Sequence, residues 1–278
     1  MVKSRGTVTS DPVTSLASGD VGSWRNMSTS APFAAAPGEA PPALSQAERV
    51  IDTFIAPSKT FTDIRRNASW WMPWLIGAIV GLALVTVVDK KVGLDKVAEN
   101  QIQLQPKQAA KLEQLPPDQR AQQMEISTKI TRVIAYGFPI FKLALVAVMA
   151  SVLLATFKFG LGTEVNFSQA YAISMYAWLP ECIKGLLTIL TVSISGGDNF
   201  TFQNSLASNL GVLFDPNSSH FLYSLGSSID VFNIWILVLT GIGYQCVTRL
   251  KRGTCMAVVF GWWAVVTLGG AVIGSLFA

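Results

Sequence analysis

Lys142, Glu181 and Lys184 are the residues of this chain whose type and position could do chemistry, because each interrupts an otherwise apolar stretch. An ionisable group in hydrocarbon costs several kcal/mol unless it is paired or reaches water. Glu181 and Lys184 are three apart, so on a helix they share a face. If 133–157 and 170–194 are antiparallel neighbours joined by a short loop, Lys142 lies roughly 13 Å from one end of its stretch. Glu181 lies roughly 16 Å from the end of its own that faces the other way, at 1.5 Å per residue. The two fall at similar depth. We therefore expect an intramembrane polar cluster of Lys142, Glu181 and Lys184 facing the inside of a bundle. It could be a site for an ion, a proton or an anionic headgroup, or a charge network that sets helix register. The third alternative is a pair of lysines that snorkel without touching. Pro180, next to Glu181, removes a backbone donor and should kink its helix.

Other chemistry is poorly supported. Three cysteines, Cys182, Cys246 and Cys255, lie in or beside apolar stretches, with no CxxC or Cys/His spacing for a disulfide framework or zinc. We read them as packing residues, with palmitoylation of Cys246 or Cys255 as the alternative. His220 is the single histidine. No phosphate-binding glycine loop, GxSxG or HExxH is present. We expect no catalytic residues, no metal and no cofactor.

The elements that must carry these residues are membrane spans. Half of the residues are hydrophobic and 14% are charged, a balance unlike that of soluble domains. Residues 231–247 carry no charge, about the minimum that crosses a roughly 30 Å hydrocarbon core as helix. Asp230 precedes them as an interfacial acidic cap, and Arg249, Lys251 and Arg252 follow as a basic loop. The fold class is all-α: a polytopic membrane bundle with five transmembrane helices, at about 71–88, 133–157, 170–194, 229–247 and 255–277. Residues 1–45, rich in Ser, Thr, Ala, Gly and Pro, read as a disordered tail, with Met27 as an alternative start. Residues 46–67 repeat apolar side chains at near-helical spacing around Pro57, the pattern of two interfacial amphipathic helices. A polar insertion, 89–132, should be partly helical outside the bilayer. The loop 195–228 is polar, with short apolar patches suited to the interface.

Arg65, Arg66, Lys158 and the 249–252 loop fall on one side of this topology, and 195–228 has no Lys or Arg. That bias puts the N-terminus in the cytoplasm and the C-terminus outside. The formal charge of +4 lies near membrane boundaries, which suits anionic lipid and excludes nucleic acid as the implied partner.

Several segments together resemble a known family. They are 54–64 with Pro57, Thr60 and Phe61, the Trp-rich start of the first span, and the glycine loop with Phe167. The series continues with Tyr176-Ala177-Trp178-Leu179-Pro180 and Asp230-Val231-Phe232-Asn233-Ile234-Trp235, and ends with a glycine at 241 or 243 before the basic loop. Residues 46–278 resemble the Yip family, the Ypt/Rab-GTPase-interacting membrane proteins, in its bacterial branch. The resemblance implies five spans with a cytoplasmic N-terminus, a bacterial inner-membrane address, and in eukaryotic members Rab binding and vesicle traffic. The 89–132 insertion departs from the compact eukaryotic pattern, so Rab binding is not carried over. The function expected is a scaffold or adaptor that binds lipid, other membrane proteins or itself, without catalysis. A small permease or channel subunit using Lys142, Glu181 and Lys184 is the alternative.

Overall fold

The computed structural model describes residues 42–215 and 218–277; most of the expected tail over 1–45 lies outside the described residues. Among the described residues, five helices are long and apolar enough to cross a membrane. Hydrocarbon offers backbone groups no partner, so each span must bond its own N–H and C=O groups.

Two short helices come first, α1 (Gln46–Ile55) and α2 (Pro57–Ile64). Ser45 starts α1 with a capping box: its hydroxyl accepts from Glu48 N and its own N–H donates to Glu48 Oε2. The Ser45 N–H foremost, with the Ser45 hydroxyl beside it, holds the Glu48 carboxyl below its usual range. Pro57 sits at the first position of α2, where its missing N–H has no helical partner in any case.

The first span, α3 (Trp71–Lys91), leads to α4 (Leu94–Gln103) and α5 (Pro106–Glu113) in the insertion. Next comes α6 (Pro117–Ala155), a helix of 39 residues, roughly 58 Å long at 1.5 Å per residue. It is both the second span and a post projecting beyond it, against which α4 packs. A π-helical turn, Thr156–Gly160, ends this span at the loop leading to the third.

The third span is two helices, α7 (Phe167–Ala177) and α8 (Pro180–Ser195). The kink expected at Pro180 falls where regular bonding is interrupted, over Trp178 and Leu179, both of which stay in the right-handed helical region. Pro180 has no N–H to give the carbonyl four residues back, and that acceptor, Tyr176 O, takes Leu179 N at 3.1 Å instead. Glu181 N and Cys182 N likewise bond three residues back, to Trp178 O and Leu179 O. After α9 (His220–Ser228), α10 (Val231–Thr248) and α11 (Arg252–Phe277) are the last two spans.

The core centres on α7, whose residues from Ala170 to Ala177 are all buried. Around it lie α6, α10 and the α1–α2 hairpin, while α3 packs on α8 and α6, and α11 on α10 and α9. Phe157 stacks on Tyr244 at 4.1 Å between ring centroids. At the far end, Val88, Leu94, Val97, Val192 and Phe200 form a smaller core that fastens the insertion to α3 and α8. Asn100 Nδ2 donates to Asp198 O and Phe200 O, and His220 Nδ1 donates to Leu104 O.

The hairpin stands against the bundle. Phe61 and Ile64 are fully buried, and Gly243 lets α2 approach α10: a Cβ there would come within 2.5 Å of Ile173 Cγ2 and 3.1 Å of Phe61. Phe54 meets Trp235 edge-on at 5.7 Å, and Tyr176 OH donates to Gln46 Oε1 at 2.9 Å. Its centre is an ion pair within the hairpin. Arg49 Nη2 lies 2.6 Å and Nε 2.8 Å from Asp63 Oδ2, with Arg49 at 0% and Asp63 at 6% exposure. Thr53 and Thr60 hydroxyls both donate to Arg49 O. Breaking a buried pair strands a charge and costs about 3–5 kcal/mol, whereas replacing both partners with apolar residues is often neutral. Arg49→Leu should therefore strongly destabilise the full chain in micelles, and Arg49→Leu/Asp63→Leu should recover most of the loss. Denaturant unfolding followed by circular dichroism checks this; equal losses in both variants would show that the charge is not what matters.

Candidate functional site

The third-span break decides where the intramembrane charges go. Trp178 lies in the break, and the Lys142 ammonium sits 4.6 Å from the centre of its ring, within cation–π range. Lys142 is 7% exposed. On its other side is α3, where Gly77 has no side chain to exclude it: a Cβ at 77 would lie 3.2 Å from Nζ. Pro139, one turn earlier on α6, offers its carbonyl to the Trp74 indole at 2.9 Å, which fixes α3 against α6 beside the lysine.

Glu181 is the second residue of α8, where the positive end of the helix dipole favours a carboxylate. It is exposed on the isolated chain. Among the described residues no carboxylate oxygen lies within 4.0 Å of Lys142 Nζ, and no ammonium lies that close to Glu181. Both residues instead line a cavity of about 200 Å³. Its walls are Gly77, Gly81 and Leu84 of α3, Phe138 of α6, Cys182 of α8, and Phe202 from the following loop. α3 packs against both α6 and α8, whereas α6 and α8 make at most marginal contact; the cavity lies at that gap.

Lys184 is not among the residues that line the cavity. Its ammonium is 3.4 Å from Asp230 Oδ2. The expected three-residue cluster thus resolves into a cavity holding Lys142 and Glu181 and a separate Lys184–Asp230 tie between the third and fourth spans. Asp230 was expected as a cap at the interface. It does cap α10, accepting from Phe232 N at 2.8 Å and Asn233 N at 3.3 Å, but it is only 3% exposed. The segment before α9 covers it: Ser208 donates its hydroxyl to Oδ2, Val231 N bonds Ser208 O, and Leu210 N bonds Ile229 O. One carboxylate therefore holds a helix start, a lysine of the neighbouring span and a loop.

Arg249, Lys251 and Arg252 form an exposed basic turn between α10 and α11. Arg249 ends α10 in the left-handed conformation, with φ of 60°, and none of the three has an ion-pair partner among the described residues. No trio of His, Cys, Asp or Glu among the described residues is arranged to hold a metal.

Sequence reasoning missed three partners: Trp178 for Lys142, Asp230 for Lys184, and Asp63 for Arg49. Only the last left a local signal. Asp63 lies between Phe61 and Ile64, and Arg49 shares a helical stripe with Thr53, so each charge interrupts a buried face.

The cap and the ion pair at Asp230 are separable. Asp230→Asn keeps a good capping side chain, whereas Asp230→Ala removes a contribution of about 1 kcal/mol from capping as well as the charge facing Lys184. Thermal unfolding of the full chain should rank wild type above Asp230→Asn, and that above Asp230→Ala. Equal midpoints for the two variants would remove the cap from the account.

A profile of the Yip1 domain matches residues 51–273, an interval that contains the cavity, the Asp230 tie and most of the hairpin. Neither the curated proteins nor the solved structures include a match to this chain.

Proposed function

The chain belongs to the Yip1-domain family and is a multi-pass membrane protein; on that premise we propose that it is a non-catalytic adaptor that binds other membrane proteins through its α1–α2 hairpin. The observation that carries this reading is the outer edge of α1. The hairpin is fastened to α7 and α10 on one side, yet Ile51 and Ile55, one turn apart, are 56% and 77% exposed on the other. A helix rigidly held by a buried ion pair and presenting an apolar edge has little ordering entropy left to lose on binding. The N-terminus is cytoplasmic in this reading, which gathers Arg65, Arg66, Lys158, Arg249, Lys251 and Arg252 on the side of anionic lipid.

A photo-reactive benzoyl-phenylalanine at Ile51 should give a discrete protein adduct in intact membranes, and Ile55→Asp should abolish it. Adducts with lipid alone would refute the adaptor reading. The buried Lys142 in a cavity favours a second reading, a small permease or channel subunit. That reading requires solute flux in proteoliposomes which disappears in Lys142→Met; the adaptor reading expects no flux from either protein.

A further inference from the structure

The cavity between α3, α6 and α8 has a polarity that selects among ligands. Lys142 is more than nine-tenths buried, lies on the cavity wall and has no hydrogen-bond acceptor among the described residues, only the Trp178 ring. An ammonium with donors unused is an incomplete site. Glu181 shares the cavity and also lacks an ion partner within 4.0 Å, since Lys184 is turned to Asp230. A fully anionic group reaching for Lys142 would therefore meet the Glu181 carboxylate, and a cationic group reaching for Glu181 would meet Lys142. An uncharged head that both accepts and donates satisfies the two together. Apart from Ser205 and Cys182 the remaining wall is apolar, and it includes Gly81, whose missing side chain leaves open space. The volume of about 200 Å³ exceeds the roughly 150 Å³ of an apolar cavity that holds benzene.

We infer that this cavity binds a neutral single-chain amphiphile with a hydroxylated head, the head between Lys142 and Glu181 and the chain along the Gly77–Gly81 face of α3. The ligand enters from the bilayer through the gap where α6 and α8 fail to pack. The site is independent of the hairpin and stands whether or not Ile51 and Ile55 engage a partner.

Cys182 lines the cavity and reports on its occupancy. The full chain in phosphatidylcholine nanodiscs is treated with N-ethylmaleimide, and modification of Cys182 is followed by peptide mass spectrometry, with Cys246 as the internal control. Monodecanoylglycerol should slow Cys182 modification about fivefold and leave Cys246 unchanged, while decanoate and decylamine at the same mole fraction slow it less than about twofold, as mass action on one selective site requires. Lys142→Met should remove the preference for the neutral head. Gly81→Leu, which fills the chain path without touching either charge, should abolish protection by all three. Both variants are first checked for a monodisperse elution profile, and if Lys142→Met fails it, Gly81→Leu alone decides. Equal protection by decanoate or decylamine overturns the inference, as does protection that survives Gly81→Leu.

Discussion

Hydrocarbon supplies no hydrogen-bond partner, and nearly every feature of this protein follows from having to satisfy polar groups internally. The spans are helical for that reason. Their hydroxyls obey the same constraint: Thr86, Ser151, Thr188, Thr191, Thr240 and Thr248 each donate to the carbonyl four residues back on their own helix. Where a charge is buried, a specific acceptor or ring meets it. Arg49 has Asp63, Lys184 has Asp230 and Lys142 has the face of Trp178. The cavity at Lys142 and Glu181 is the one place among the described spans where two opposite charges share a space and do not close on each other.

That exception traces to the break in the third span. A continuous helix through 167–195 would keep residues 178 and 181 on adjacent positions of one regular surface. With Pro180 unable to donate, the chain tightens through a turn of three-residue bonds, Trp178 comes under Lys142, and α8 restarts with Glu181 in its first turn. The same restart carries Lys184 to Asp230 at the head of α10. A single missing N–H thus separates one expected cluster into two sites with different character, a buried tie and an open cavity.

The bundle was legible from local pattern. Length and hydropathy give five spans because each must cover a fixed thickness with its own hydrogen bonds. The paired amphipathic helices were legible from spacing around Pro57, and Asp230 as a cap from its place before an apolar run. The candidate charges were legible because Lys142, Glu181 and Lys184 stand out against apolar neighbours. Their pairing was not. Depth and helical face left Lys142 and Lys184 equally plausible partners for Glu181, and neither lies within pairing distance of it. The segment around Ser208 that buries Asp230 gives no local sign of doing so, since its sequence is that of an ordinary polar loop.

By itself, then, the sequence determined the class of the protein, the number and approximate limits of its spans, and which residues needed explanation. These depend on sums over neighbouring residues, and a window of the chain contains everything required to compute them. Only the tertiary structure decided that Lys184 belongs to Asp230, that Trp178 carries Lys142, that Arg49 and Asp63 pin the hairpin, and that a cavity lies between α3, α6 and α8. The reason is physical: a charge selects its partner by distance and orientation in three dimensions. Those are set by one broken helix and by the glycines at 77 and 243 that let neighbouring elements come close, not by anything adjacent in the chain.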